Sequence, residues 1–421
     1  MLATLLSGCR VEGMGTLAVN IPVGDVFDFD AAAQKISAAY GKPVTAQMLE
    51  NIGKDKAATL LSDAEYGIFN DKTWLHATGY SYFANLDMVN GVIDAENVAD
   101  FGYNGKDTFD ISFVGDVLYD TDFSPMMHAE NMGGVVNCID PEVVDYLRAS
   151  DILLINNEFS VGTRGTPLSG KTWTFQAHPD TLDIHKDLGA DIVSLANNHV
   201  YDYGEIGFTD TLDHLDAAGI PYVGAGRNLD EARQARYFIV NGIKIGIIAA
   251  SRAEKVYFTP VATEDSAGIM GTYESADFLD AIAEADAQCD ILVAYVHWGT
   301  ENSVKLESAQ ERMAKEYIDA GADAVIGGHT HCVQGLDFYN GKPIAYSVGN
   351  FWFSSYTLDS CVVTLRVDNN MNVETVFVPL IQEGCETRLL KGEERREYLD
   401  KIESFEPQAV KISDDGIVTP A

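Results

Sequence analysis

From Thr108 onward the chain alternates short apolar runs with amphipathic stretches. Residues 109–114, 152–155, 192–195, 243–250, 291–296 and 324–326 are apolar and bounded by Gly, Asn and Asp. Runs this short and this continuously apolar predict strands buried on both faces. Between them, 179–188, 204–218, 273–287 and 308–320 carry helical spacing. Gly189, Gly219 and Gly321 follow three of these helices, where a left-handed C-terminal cap belongs. Strands alternating with helices imply a mostly parallel sheet, whose chemistry sits in the loops at the strands' carboxyl ends.

Past residue 333 the pattern changes to hairpins. Residues 335–339 and 344–347 flank Asn340-Gly341, and 361–367 and 373–378 flank Asn369-Asn370. A charged helix at 393–402 and a loose tail are expected to close the chain. Before Thr108 the signals differ: 30–40, 46–61 and 94–98 read as short helices, and 66–88 is rich in aromatics without a ligand set. The expected organisation is a lipoprotein signal remnant at 1–9, a helical extension at 10–107, a main domain at 108–380, and a C-terminal helix and tail at 381–421.

With 421 residues the chain can bury a large core. Its 64 acidic against 28 basic residues give a formal charge of −36. Such a surface repels polyphosphate backbones, so nucleic acid is excluded as a ligand, and a soluble protein outside the cytosol fits. No run approaches the roughly 18 apolar residues that span a bilayer. Leu6-Ser7-Gly8-Cys9 resembles a bacterial lipobox, although none of the eight residues before Cys9 is Lys or Arg. The reading that follows is a lipid anchor at Cys9 as the one membrane attachment, on the outer face. The remaining cysteines, Cys138, Cys289, Cys332, Cys361 and Cys385, are odd in number and lack CxxC spacing, which argues against a disulfide framework.

The polar residues that follow the predicted strands are of metal-ligand type. Asp116, Glu158, Asn198 with His199, His297, and His329 with His331 each come just after an apolar run. If those strands are parallel, five loops bring these groups to one edge of one sheet. Two divalent ions about 3.5–4 Å apart need a bridging carboxylate and several nitrogen and oxygen donors. Two carboxylates, one amide and three imidazoles supply them, and His199 is left for acid–base work. Each residue alone has a structural reading: Asp116 as a turn former, Asn197-Asn198 as turn residues, His297 as a packed imidazole. His329-Thr330-His331 at a strand end has fewer such excuses. His76, His128, His178, His185 and His214 have no partners of this kind and read as surface or packing residues.

Taken in order, Gly115-Asp116, Asn156-Asn157-Glu158, Leu195-Ala196-Asn197-Asn198-His199, Val296-His297-Trp298-Gly299, Gly328-His329-Thr330-His331 and Tyr346-Ser347-Val348-Gly349-Asn350-Phe351 resemble the CapA family of capsule, or poly-γ-glutamate, synthesis proteins. The resemblance runs over about 108–380 and implies a calcineurin-like metallophosphoesterase sandwich of mixed sheets flanked by helices. It implies Glu158 as the bridging carboxylate, Asp116 and His331 at one metal position, and Asn198, His297 and His329 at the other. His199 matches the histidine that assists the departing oxygen, with Asp202 orienting it; a helix N-cap explains Asp202 equally well. Two positions depart from the pattern. Leu118 stands where metallophosphatases have a histidine, and Tyr119-Asp120-Thr121 replaces an expected arginine. Arg164 and Lys171, in the loop at 160–175, are the candidate cations for an anionic substrate.

The cofactors this implies are two divalent ions, manganese, iron or zinc. The expected function is capsule biosynthesis through metal-dependent hydrolysis of phosphate esters, with an anionic small molecule or polymer as substrate and other capsule synthesis proteins as partners. The alternatives are a non-catalytic, surface-anchored assembly or export component and a γ-glutamyl polymer hydrolase.

Overall fold

A computed structural model describes residues 27–93, 97–254, 258–407 and 409–421; Cys9 and its lipobox-like flank lie outside them. The chain divides into two compact units, Met1–Phe69 and Asn70–Ala421. In the first, Phe29–Tyr40, Ala46–Ile52 and Lys54–Glu65 are helices. Asp28 and Thr45 cap the first two by accepting from the Ala31 and Met48 amides. The 46–61 stretch, expected as one helix, breaks at Gly53, whose φ of 87° and ψ of 157° are not helical.

The second unit begins earlier than the 107/108 boundary read from the sequence. Asp71–Thr78 and Tyr82–Asn90 are helices within it, and the Ser81 amide donates to the Gly242 carbonyl at 2.6 Å. An ion pair between Lys244 and Asp87 joins the second of these helices to a central strand. Of the helix expected at 94–98, the described part is not helical: Val98–Gly102 is a strand paired in parallel with Arg236–Val240. Pairing with a strand distant in sequence overrides a weak local signal.

Two mixed sheets form the body of this unit. The seven-stranded sheet runs in the order Val98–Gly102, Arg236–Val240, Ile243–Ser251, Ile291–His297, Ala324–Gly328, Lys342–Ala345, Leu336–Tyr339. The ten-stranded sheet is centred on Thr108–Val117, with Ile152–Asn157 and Ile192–Ser194 parallel on one side and the antiparallel pair Leu358–Asp368 and Val373–Glu383 on the other. The single sheet expected from the strand–helix alternation is therefore two sheets, and the chemistry-bearing strands are shared between them.

Alternation along each strand places the sheets face to face. Phe109, Ile111, Phe113, Ile152 and Leu154 of one sheet share a core with Ile243, Ile245, Ile247, Val293 and Ile326 of the other. The intervening Val114, Leu153 and Ile155 pack outward against helical Leu147, Leu182 and Leu212. Ile248, Leu292 and Val296 pack outward against Phe278, Ile282 and Met313 on the helices Ala276–Asp286 and Ser308–Ala320. Both faces of each sheet are thus covered, which explains the continuous apolar runs. The C-terminal segment is not loose. After the helix Gly392–Glu403, Val410–Ile412 and Ile417–Pro420 form a hairpin that extends the ten-stranded sheet. Among the described residues all five cysteines are free.

The chain packs tightly around Gly327. The Trp298 indole donates to the Tyr346 carbonyl at 2.8 Å across Gly327, and a Cβ on Gly327 would lie 1.9 Å from that oxygen. We expect Gly327→Ala to lower unfolding stability by about 3 kcal/mol or more. Gly341→Ala, at a φ of 78° with nothing within 4 Å, should cost only about 1 kcal/mol. Denaturant unfolding of both variants checks this, and equal losses would contradict it.

Candidate metal centre

The groups expected to converge do so at the strand ends of both sheets. Asp116 lies in the Thr108–Val117 strand, in register with Asn156 of one neighbour and Asn350 of another. Its amide donates to the Gly349 carbonyl at 3.1 Å. That approach is possible because residue 115 is glycine, where a Cβ would lie 1.7 Å from the same oxygen. Glu158 follows the Ile152–Asn157 strand. From the opposing sheet, His297 closes its strand, and His329 and His331 follow Ala324–Gly328.

Local chemistry shapes each loop. The Asn197 side chain accepts from the His199 and Val200 amides at 3.1 and 3.0 Å and donates to the Asn157 carbonyl at 2.9 Å. In the Asn197-Asn198 step the first residue therefore builds the turn and the second presents its amide to the site. His329 and His331 have φ of 89° and 55°. Left-handed backbone costs a non-glycine residue about 1–2 kcal/mol, and such strain is typically retained where a site requires it.

Two overlapping clusters result. Glu158, His297 and His329 form one, Asp116, Glu158 and His331 the other, with the ligand atoms of each within 4.8 Å of one another. Glu158 is common to both, as a bridging carboxylate requires. His297 Nε2 lies 2.9 Å from Asn198 Oδ1, 3.2 Å from His329 Nδ1 and 3.4 Å from Glu158 Oε1. His331 Nδ1 lies 2.7 Å from Asn350 Oδ1 and 3.2 Å from Asp116 Oδ2. Both Glu158 oxygens are buried without a hydrogen-bond partner. A fully buried carboxylate with no donor is several kcal/mol out of place unless a cation meets it. The donor set, carboxylate and amide oxygens with imidazole nitrogens, suits divalent transition ions.

Burial and the neighbouring Asp116 push the Glu158 carboxyl well above its ordinary range. Burial likewise pushes His297 down to about 3 and His329 well below its usual value, so both rings are neutral and ready to ligate. For His331 burial acts downward, but Asp116 and Asn350 outweigh it and raise its pKa. Burial would raise Asp116, but its hydrogen bonds with His331 and Asn156 and the charge of His331 outweigh burial and hold it low.

His199 stands beside the clusters with Nδ1 at 2.7 Å from Asp202 Oδ2. Asp202 also accepts from the Phe175 amide at 2.8 Å. Burial lowers His199, although Asp202 acts in the other direction. The two cations expected to contact substrate are committed elsewhere. Lys171 is buried, with Nζ at 2.8 Å from Asp202 Oδ1 and 3.5 Å from Glu254 Oε1, and it also donates to the Asn198 carbonyl. Arg164 clasps Asp210, with Nε at 2.9 Å from Oδ2. Leu118, the departure from a histidine, is 2 % exposed and lines the cleft over the site.

Three asparagines carry more than the sequence assigned them. Asn156 Nδ2 donates to Asp116 Oδ1 at 2.7 Å and lies 3.4 Å from His297 Nδ1, tying ligands of the two clusters together. Asn197 builds its turn, and Asn350 meets His331. The available signal was position: Asn156 ends an apolar run, and Asn350 ends the Ser347-Val348-Gly349 step.

A mixed-sheet α/β sandwich with a shared-carboxylate ligand cluster at its strand ends is the class that fold and site define. Residues 110–355 match the bacterial capsule synthesis protein PGA_cap family, and the chain belongs to it. The capsule biosynthesis protein CapA of Bacillus anthracis is 30% identical over 300 residues, 69% of this chain and 71% of that protein. The PGA biosynthesis protein CapA of Bacillus subtilis is 29% identical over 269 residues, 63% of this chain and 69% of that one. A phosphatase of Mycoplasma pneumoniae superposes with a TM-score of 0.42 and 14% identity over 66% of this chain and 94% of that chain, a likeness too slight to bear on function.

Metal uptake should release protons. Glu158 and His331, with raised pKa values, keep protons to higher pH than free groups do, and an ion must displace whatever protons they hold, whereas burial favours neutral His297 and His329. Affinity should therefore weaken as pH falls through the raised Glu158 pKa. Calorimetric titration with manganese in buffers of different ionisation enthalpy measures the protons released, and pH-independent uptake would contradict the assignment. Lys171→Met removes one partner of a buried ion pair and should cost about 3 kcal/mol, measured by chemical denaturation of the metal-free protein.

Proposed function

We propose that this chain is a dinuclear metal-dependent phosphoesterase acting in capsule synthesis of the poly-γ-glutamate type. The observation that carries the reading is Glu158, shared by two ligand clusters with both oxygens unpartnered, beside the His199–Asp202 pair. In this reading Asp116, Glu158 and His331, with Asn350 alongside, hold one ion; Glu158, Asn198, His297 and His329 hold the other. Manganese, iron and zinc all suit these donors. Bound there, the ions would supply Lewis acidity and lower the pKa of water.

The chain's own groups perform the rest. With Nδ1 held by Asp202, His199 presents Nε2 as its working nitrogen, and it hands a proton from that atom to the departing ester oxygen. Its lowered pKa makes the protonated ring a ready donor. Asp202 fixes the tautomer and balances the charge of the protonated ring, and Lys171 in turn steadies Asp202. A lipid at Cys9 on the outer face of the membrane belongs to the same proposal, as do contacts with other capsule synthesis proteins. No helix among the described residues is long and apolar enough to cross a membrane.

The second reading is an assembly or export component in which the same centre binds without turnover; the names of the Bacillus relatives, which specify biosynthesis, are compatible with both readings. Protein loaded with manganese or zinc should hydrolyse p-nitrophenyl phosphate or its diester, and chelation should abolish this. His199→Ala should lower kcat about 10²–10⁴-fold with metal content unchanged by elemental analysis. Loaded protein that turns over neither these esters nor γ-glutamyl peptides would leave the assembly reading.

A further inference from the structure

A cleft of about 390 Å³ opens onto His199, His331 and Asn350. Its walls are aromatic, and they begin at the site itself. The Phe175 ring lies 4.4 Å from the His199 ring and the Phe353 ring 4.9 Å from the His331 ring, with 5.6 Å between the two phenyl groups. The row continues outward through Phe123, 4.9 Å from Phe175, to Trp173, 6.2 Å from Phe123. At the rim Trp173 is 61% exposed and Tyr356, which also lines the cleft, is 73% exposed. Large apolar side chains gathered on the surface around a polar centre mark a place where something binds.

Charge narrows what that is. Among the described lining residues Glu301 is the sole Asp, Glu, Lys or Arg. It shares the lining of this cleft with His199 and His331. Lys171 and Arg164, the cations that could have offset it, are held by Asp202 and Asp210. Away from the metal positions, a carboxylate-bearing group in this cleft would meet Glu301 and no lysine or arginine, whereas an uncharged ring would find flat apolar faces on which to stack.

We propose that the cleft is a subsite for an uncharged ring, glycosyl or aryl, attached to the phosphoryl group held at the metal centre, and that Glu301 excludes carboxylated groups from it. The subsite rests on the phosphoesterase reading of the same centre. It assigns the ester's non-reacting part to a neutral ring compound and keeps an intact γ-glutamyl polymer out of the cleft.

The test uses the full chain loaded with manganese, titrated calorimetrically with methylphosphonate, phenylphosphonate, 4-carboxyphenylphosphonate and a hexose phosphate. Either the phenyl or the hexose compound should bind at least tenfold tighter than methylphosphonate, and which one does so tells an aryl from a glycosyl occupant. Trp173→Ala should shrink that advantage over methylphosphonate, measured as a ratio within the variant, by roughly threefold to tenfold, the worth of one aromatic stack. Glu301→Gln should narrow the gap between the phenyl and carboxyphenyl compounds several-fold. Taking the ratio within each variant cancels any change in metal loading. Equal affinity for all four, or a Trp173→Ala variant with the native ratio, overturns the subsite. A Trp173-dependent ring preference in a protein that hydrolyses no ester would uphold the subsite and overturn the hydrolase reading; turnover without ring preference would do the reverse.

Discussion

A carboxylate with no hydrogen-bond donor, sealed between two sheets, is the constraint to which the rest of this structure answers. Transferring an ionised group from water into a protein interior costs several kcal/mol even after relaxation. Glu158 has neither oxygen partnered, and the nearest cation-forming group, His297, is driven neutral by the same burial. The surroundings are built to hold this arrangement. Asn156 and Asn197 bridge strand ends, two histidines adopt left-handed backbone, and glycines at 115 and 327 let main chains approach where no Cβ would fit. Stability for this comes from the apolar layer beneath, where Phe113, Leu154, Ile247 and Tyr295 of the two sheets interlock. The sandwich carries the centre as an energetic burden that a bound cation would relieve.

The legible part of the fold was the part set by periodicity. Strands such as 152–155 and 291–296, and the helices 204–218 and 308–320, agree with the observed elements to within a few residues. Runs buried on both faces look the same whichever sheet they join, so sequence pattern could not divide them between two sheets. The same limit hid Val98–Gly102 and the C-terminal hairpin, short segments whose strand character comes from partners far along the chain. The candidate ligand residues stood out for a different reason. A polar group directly after a buried strand stands out against apolar neighbours, and His329-Thr330-His331 has few structural explanations.

What the sequence misled about was charge. In a chain of net charge −36 a loop lysine and a loop arginine read naturally as substrate contacts. The structure gives each a carboxylate partner instead, and the reason is general. Where acidic residues outnumber basic ones by 64 to 28, most cations near a site will be claimed by a fixed carboxylate before any ligand arrives. Lys171 is held at the centre all the same, because the carboxylate it pairs with is the one that also meets His199 Nδ1. A bound cation so placed sets geometry rather than substrate affinity.

This assigns the work of anion recognition to one place. With Lys171 and Arg164 engaged, Leu118 apolar and Glu301 facing the cleft, ions held at the proposed metal positions would be the main source of positive potential for an incoming anion among the described groups around the centre. Fields from exposed acidic residues are screened within about 8–10 Å at physiological salt, whereas a buried ion's field is not, so attraction is confined to the pocket. Binding would then be short-ranged and selective for a single anionic group next to an uncharged one. A polymer with a carboxylate on every unit meets the opposite conditions: one group attracted and all its neighbours repelled. The same acidic surface thus sharpens what the centre would hold.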